Sequence, residues 1–294
     1  MSFLSGFIAI VGPPNVGKST LLNRLVGSKV AAVSPKPQTT RNRILGVYHG
    51  PGFQMVFMDT PGIHRAVSPL HRSMVESARS AFNEVDMILL MVEVDRSLEP
   101  GLESIIRLIK AVKKPCLLAL NKIDRGPKER ILPVIDELSR SYPFDAIIPI
   151  SAKEGDGINP LIEELKARLR PGPEFFPPHI TTDQPESFYV AEIIREKIYY
   201  HTRHEIPYSC AVTVENMKEI PPKNLLSITG HIHVETPSQK GIVIGHKGKI
   251  LGSIGRAARL ELEKRFGLRV YLDLKVRVVK KWSQDSRALR RLGY

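Results

Sequence analysis

Residues Gly12-Pro13-Pro14-Asn15-Val16-Gly17-Lys18-Ser19 place two glycines five positions apart, followed at once by Lys and Ser. An apolar run, Phe7-Ile8-Ala9-Ile10-Val11, precedes them and reads as a buried strand. Ser19-Thr20-Leu21-Leu22-Asn23-Arg24-Leu25 follows and reads as the opening turns of a helix. A glycine loop between strand and helix can turn its N–H groups inward around phosphate oxygens. The helix N-terminus adds partial positive charge at the same place. On this pattern Lys18 reaches the β and γ phosphates and the Ser19 hydroxyl ligates Mg²⁺, while Asn15, Val16, Gly17 and Thr20 complete the cradle. The alternative is a plain glycine turn ahead of an ordinary helix, against which the flanking strand and helix argue.

The same alternation continues to residue 170. Apolar strands are expected at Phe7–Val11, Phe53–Met58, Met87–Val94, Cys116–Leu120 and Ala146–Ile150. Helical spacing appears in Lys18–Val26, Ser68–Phe82, Leu102–Val112, Lys128–Arg140 and Pro160–Leu169. Continuous apolar strands alternating with helices imply an α/β domain, a mostly parallel sheet flanked by helices. Arg43–Tyr48 is a further strand candidate, joined to Phe53–Met58 by the turn residues His49-Gly50-Pro51-Gly52, so one edge strand is expected to be antiparallel.

A chain of 294 residues has room for two domains. Pro171-Gly172-Pro173-Glu174-Phe175-Phe176-Pro177-Pro178 and the polar residues to Ser187 read as a stiff linker that Phe175 and Phe176 can pin to one domain. The expected division is 1–172, linker 173–187, and 188–294. The second part reads as a smaller α+β unit. Helices are expected at Phe188–His201 and Lys249–Phe266, and strands at Tyr208–Glu215, Leu225–Val234 and Val270–Val279.

The net charge of +13 is uneven: His231 to Tyr294 carries fifteen Lys or Arg against five Asp or Glu, a surplus of ten. Such concentration points to a polyanion, either nucleic acid or an anionic membrane surface. No run of 18 apolar residues occurs, and the N-terminus lacks the basic and long apolar regions of a secretory signal. Cys116 and Cys210 sit in apolar runs without metal-ligand spacing, so buried free thiols are expected. The chain is therefore expected to be soluble and cytoplasmic, and to work as a monomer.

Three further segments define the nucleotide. Asn121-Lys122-Ile123-Asp124 follows the strand Cys116–Leu120, and the Asp124 carboxylate can accept both N1–H and N2–H of guanine. Adenine offers no such pair and would leave a carboxylate unpartnered. Ser151-Ala152-Lys153, after Ala146–Ile150, can present a backbone N–H to the guanine O6. Each follows a strand, where ligands bind in doubly wound sheets. Asp59-Thr60-Pro61-Gly62 supplies an acidic residue for Mg²⁺ at Asp59 and an N–H at Gly62 for the γ-phosphate. In Gln38-Thr39-Thr40-Arg41 either threonine can close over Mg²⁺, with Thr40 favoured.

Taken in order, these elements resemble the Ras-like GTPases of translation, and Gly-x-Pro-Asn-Val-Gly-Lys-Ser narrows the resemblance to the Era/TrmE group. The resemblance implies slow hydrolysis of GTP to GDP and phosphate, with switch loops near Ser28–Arg43 and Gly62–Asn83. Lys18, Thr40 and Gly62 are the residues it implicates in catalysis. One departure is Ile63, at the position of the Ras glutamine that orients water, so no general base is assigned. Relatives with Asn at the position of Asn15 can use K⁺ there, which adds K⁺ to the possible cofactors beside GTP/GDP and Mg²⁺.

Ile242-Val243-Ile244-Gly245-His246-Lys247-Gly248-Lys249-Ile250 holds Gly-x-x-Gly between an apolar turn and a basic amphipathic helix. It resembles the loop of a KH domain, which clamps about four nucleotides, and the element order resembles the type II arrangement. Gly245, His246, Lys247, Gly248, Lys249 and Arg256 are the RNA-contact candidates. Arg259, Lys264 and Arg265 fit a solvated helix face equally well. Trp282, the single tryptophan, either stacks on a base or packs against the domain. A Ras-like domain linked to a C-terminal type II KH domain is similar over the whole length to the Era-like GTPases. That resemblance implies binding to the 3′ end of small-subunit ribosomal RNA, a role in maturation of the small ribosomal subunit, and peripheral contact with the inner face of the cell membrane. An RNA-binding module whose guanine-nucleotide site is structural and does not cycle is the alternative. An ATP-dependent kinase of a small molecule fails at Asn121–Asp124.

Overall fold

Runs of Ile, Val, Leu and Met cannot face water on either side, so they pair in the middle of a sheet covered by helices. The computed structural model describes residues 2–36, 39–62, 69–96 and 101–294. Compact packing divides the described chain after Asp183, with residues 32–36, 39, 69 and 70 grouped with the second unit.

In the first unit the strands are β1 (Leu4–Val11), β2 (Ile44–Gly50), β3 (Phe53–Asp59), β4 (Met87–Glu93), β5 (Cys116–Asn121), β6 (Ala146–Pro149) and the short β7 (Arg170–Pro171). Their order is β2-β3-β1-β4-β5-β6. Neighbours are parallel except for β2, which pairs antiparallel with β3 through the expected hairpin, and β7, which pairs antiparallel with β1. The helices are α1 (Lys18–Val26), α2 (Pro69–Glu84), α3 (Leu102–Val112), α4 (Ile131–Ser141) and α5 (Ile158–Lys166). Phe82 of α2 and Ile105 and Ile109 of α3 pack with Val11, Leu90 and Leu118 of the sheet in one buried cluster. Strands β1, β3, β5 and β6 all end at the same edge, which is where the loops of interest begin.

Residues 175–182 run along the β2–β3 hairpin. The Phe175 and Phe176 N–H groups donate to Gln54 Oε1, the Val47 N–H donates to the Thr181 carbonyl, and the Thr182 hydroxyl donates to the Leu45 carbonyl. Phe175 also packs against Phe7, with ring centroids 4.8 Å apart and the planes tilted by 57°.

The second unit contains α6 (Glu186–His201), α7 (Ile206–Ser209), β8 (Ala211–Ile220), β9 (Leu225–Val234), α8 (Pro237–Ile244), α9 (Lys249–Phe266), β10 (Arg269–Val278) and α10 (Ser286–Arg291). The sheet order is β10-β9-β8, with β10 parallel and β8 antiparallel to β9. Alternate residues Val270, Leu272, Leu274 and Val276 of β10 face the helices and join Ile193, Ile228, Ile254 and Leu262 in one core. Tyr208 and Ser209 lie in a helical turn, not in the expected strand, because Pro207 fixes φ at the start of that turn and the ladder begins at Ala211. Among the described residues no helix is long and apolar enough to cross a membrane.

Candidate nucleotide and RNA sites

The loop after β1 closes around Lys18, the first residue of α1. The Lys18 ammonium donates to the carbonyls of Gly12 at 3.0 Å and Pro13 at 2.9 Å, so it lies back across the loop. Burial lowers its pKa to about 8, partly opposed by the charge of Asp59. Gly17 is held at φ +104°, and a Cβ there would meet Asn121 Nδ2 at 2.4 Å. Only glycine allows that approach of the loop to β5. Asn15, also at positive φ, and Thr20 are half-buried beside it, while Val16 is buried.

Three oxygen donors from separate segments converge at the start of α1. Ser19 Oγ donates to Asp59 Oδ2 at 2.6 Å and lies 2.8 Å from Thr40 Oγ1, which itself donates to Asp59 Oδ2 at 3.2 Å. Two hydroxyls and one carboxylate suit Mg²⁺, a hard ion that takes one or two carboxylates and fills its other positions with phosphate and water. Of the two candidate threonines, Thr40 is at this point; Thr39 instead donates to the Lys36 carbonyl. The backbone of Gly62 passes Pro14 so closely that a Cβ would lie 3.1 Å away. Gln38 and Ile63 lie outside the described residues.

The loops after β5 and β6 meet beside the phosphate loop. Asn121 Nδ2 donates to the Val16 carbonyl at 2.6 Å, and Asn121 Oδ1 accepts the Ala152 N–H at 2.9 Å. Asn121 is thus a brace between the phosphate loop and the loop after β6. Lys122 binds Glu93 at 2.5 Å, and Arg125 binds the same carboxylate at 3.2 Å, so the two cations fasten this loop to the end of β4. Asp124 is exposed and accepts the Ser151 hydroxyl at 2.7 Å, a bond that holds its pKa below the ordinary value. Sequence reasoning missed Glu93, and also Arg24 of α1, which donates to the carbonyls of Ala152 and Lys153. No local motif marks either residue; both depend on the sheet bringing distant loops together.

In the second unit Thr236 caps α8 through a reciprocal box with Gln239, and the helix runs straight into Gly245-His246-Lys247-Gly248. Gly245 at φ +72° turns the chain against Ile250, whose side chain would be 2.7 Å from a Cβ. His246, Lys247 and Lys249 are exposed on the turn. Beside it lies a groove of about 400 Å³, lined by Gly248, Leu251, Gly252, Gly255, Leu272 and Leu274, with Arg256 and Arg259 at its rim. Gly248, Gly252 and Gly255 recur at i, i+4 and i+7, one helix face left without side chains. That spacing was available in the sequence and went unread. Arg259 joins Arg256 here, whereas Arg265 lies over the Tyr189 ring. Trp282 is fully buried and donates to the Ser209 carbonyl at 3.0 Å, so it packs and does not stack on a base.

The chain matches the family model of 50S ribosome-binding GTPases over residues 7–122 and the KH domain model over residues 205–283. It is 50% identical to GTPase Era of Geobacter metallireducens and 51% identical to GTPase Era of Geotalea uraniireducens. Both matches run over 292 residues and cover 99% of this chain and 98% of the relative. Among solved structures it is similar to an Aquifex aeolicus Era variant bound to GDP and AlF4⁻, with TM-score 0.96, 42% identity, and coverage of 100% of this chain and 99% of that one. It is equally similar, at TM-score 0.96 and 42% identity with 99% of each chain covered, to Era in complex with MgGDPNP and nucleotides 1506–1542 of 16S ribosomal RNA.

Proposed function

This chain belongs to the Era family of GTPases, and from that premise we propose that it is a GTP-driven switch that binds the 3′ end of small-subunit ribosomal RNA and assists maturation of the small subunit. The convergence of Ser19, Thr40 and Asp59 carries the proposal. A structural, non-cycling nucleotide site has no need for a threonine of a separate loop at the Mg²⁺ position.

The enzyme hydrolyses GTP to GDP and phosphate. Asp124 pairs with the guanine edge, Ser151 orients Asp124, and a backbone N–H of Ser151-Ala152-Lys153 meets O6. Asn15, Val16, Gly17, Lys18, Ser19 and Thr20 surround the phosphates, and Gly62 N–H meets the γ-phosphate. Ser19, Thr40 and Asp59 would hold Mg²⁺, which when bound supplies positive charge at the β and γ phosphates. Ile63 cannot hydrogen-bond the attacking water, so no general base is assigned, and in-line attack relies on positioning and on the Lys18 charge. A K⁺ ion would sit beside Asn15. Slow intrinsic turnover is expected, since Ile63 stands where a water-orienting glutamine would.

The first compact unit serves as the GTPase domain and the second, from Gln184 to Tyr294, as the RNA-binding domain. Gly245, His246, Lys247, Gly248 and Lys249 clamp the backbone, Arg256 and Arg259 neutralise phosphates, and unpaired bases enter the groove floored by Gly252 and Gly255. The same cationic surface permits peripheral contact with the inner membrane face.

Gly252→Leu tests the groove. A Cβ at Gly252 meets nothing within 4 Å, so the side chain is tolerated, and replacing an interior helical glycine favours the helix by about 1 kcal/mol. Thermal stability is expected to hold or rise while affinity for a single-stranded RNA copy of the ribosomal 3′ end falls by at least about tenfold, one lost base contact at about 1–3 kcal/mol. Unchanged RNA affinity in the folded variant would place the bases elsewhere.

A further inference from the structure

The turn that carries Asp124 is gripped from both sides by one carboxylate. Glu93, the last residue of β4, is 5% exposed and stands opposite Asn121 in the pairing of β4 with β5. Its Oε2 accepts the Lys122 ammonium at 2.5 Å and its Oε1 accepts the Arg125 guanidinium at 3.2 Å. Between those two cations lie Ile123 and Asp124, in a tight helical turn that the Arg125 N–H closes onto the Lys122 carbonyl at 3.0 Å.

A buried carboxylate is a poor stabiliser, and an apolar side chain of similar volume serves a sheet end at least as well. What an apolar side chain cannot do is hold two cations. Lys122 stands at φ +66° and ψ +35°, a left-handed conformation that is costly for any residue with a Cβ. There the chain turns between Asn121, which braces the phosphate loop, and Asp124. The bond to Glu93 holds Lys122 in that conformation. The grip also withholds charge. The Ser151 hydroxyl first, and the charges of Lys153 and Arg125 after it, keep the Asp124 pKa below its ordinary value. Arg125 thus already acts on Asp124, and a guanidinium released from Glu93 can fork onto that carboxylate. An Asp124 so occupied has fewer lone pairs for the N1–H and N2–H of guanine.

We propose that Glu93 is a positioning residue for base recognition: it fixes the turn that aims Asp124 and keeps Lys122 and Arg125 off the Asp124 carboxylate. This deepens, and rests on, the reading of Asp124 as the partner of the guanine edge. Every group involved lies in the first compact unit, at the ends of β4 and β5 and in the loops after β5 and β6. Glu93 acts through Asp124 and needs no contact of its own with nucleotide.

The test is equilibrium binding of GDP and of inosine diphosphate, which lacks the N2 amine, to full-length wild type, Glu93→Gln and Asp124→Asn. A hydrogen bond to a charged acceptor is worth about 10–100-fold in affinity, and wild type is expected to prefer GDP by that factor. Glutamine keeps the size of Glu93 and removes its charge. Glu93→Gln is expected to reduce the preference for GDP by about tenfold, one such bond. General damage to the fold lowers both affinities alike and leaves the ratio where it was. In the nucleotide-free protein, amide exchange at Arg125 is expected to quicken in Glu93→Gln. Should Glu93→Gln fail to fold, Glu93→Asp carries the test: it keeps a charge between the cations but is one methylene too short to reach both. Its expected fall in preference is about threefold, half the loss on the free-energy scale. If Asp124→Asn abolishes the preference and the folded Glu93 variant keeps it, the positioning role is wrong while Asp124 keeps its place. If Asp124→Asn leaves the preference intact, the guanine assignment fails and the positioning role goes with it.

Discussion

Asp124→Asn is expected to lower GTP and GDP affinity by about 10³-fold and to turn the protein toward xanthine nucleotides. A carboxylate at this point accepts two guanine N–H bonds, and an amide in its place turns one acceptor into a donor aimed at the base. Sites built to hydrogen-bond one ligand reject an analogue that leaves polar groups unpaired by about 10⁴–10⁵-fold, and loss of half the pairing sits somewhat below that. Xanthine carries an oxygen where guanine carries N2–H, so the amide donor finds an acceptor there. Asp124 is exposed, and Asn can still accept the Ser151 hydroxyl, so stability is expected to stay within about 0.5 kcal/mol. Equilibrium binding of GDP and of xanthosine diphosphate to wild type and variant reads the switch. GTP affinity unchanged in the variant would remove the guanine assignment.

Lys18→Met is expected to lower kcat/KM for GTP by about 10³-fold, the upper range for removing one group that stabilises transition-state charge. The variant is also expected to lose a pH effect. Lys18 titrates near pH 8 in the folded, nucleotide-free protein and at 10.5 in a free side chain, because burial disfavours its charge. The unfolded chain therefore holds that proton more tightly, and the lysine's contribution to stability rises with pH from about 8 to 10.5. Phosphate needs the charged form, so nucleotide binding near pH 8 takes up protons. Calorimetry in two buffers of different protonation enthalpy is expected to give different heats for wild type and equal heats for Lys18→Met. Equal heats for wild type would mean that Lys18 keeps its charge throughout.

Much of this arrangement could be read before any coordinates. Strands such as Met87–Glu93 and Cys116–Asn121 are continuous apolar runs, which only a covered parallel sheet accommodates. Lys18, Ser19 and Asp59 were legible because the chemistry of phosphate and Mg²⁺ fixes both residue type and spacing. Asn121 was legible as a member of the site but not as a brace, since its partners Val16 and Ala152 lie 105 and 31 residues away. Glu93 and Arg24 were illegible for the same reason. Tyr208 and Ser209 looked like strand because their neighbours are apolar; one proline decided otherwise.

Coupling between nucleotide state and RNA binding is the central claim, and linkage makes it reciprocal. The direct measurement is the affinity of the full-length protein for a single-stranded RNA copying the 3′ end of small-subunit ribosomal RNA, with GDP and with a non-hydrolysable GTP analogue, beside a scrambled RNA of equal length. The switch predicts tighter binding with the analogue by about 5–150-fold, the usual range of allosteric coupling, and loss of that binding on scrambling. Equal affinity for both RNAs in both nucleotide states would contradict it and leave a generic polyanion binder whose nucleotide site does not cycle with RNA.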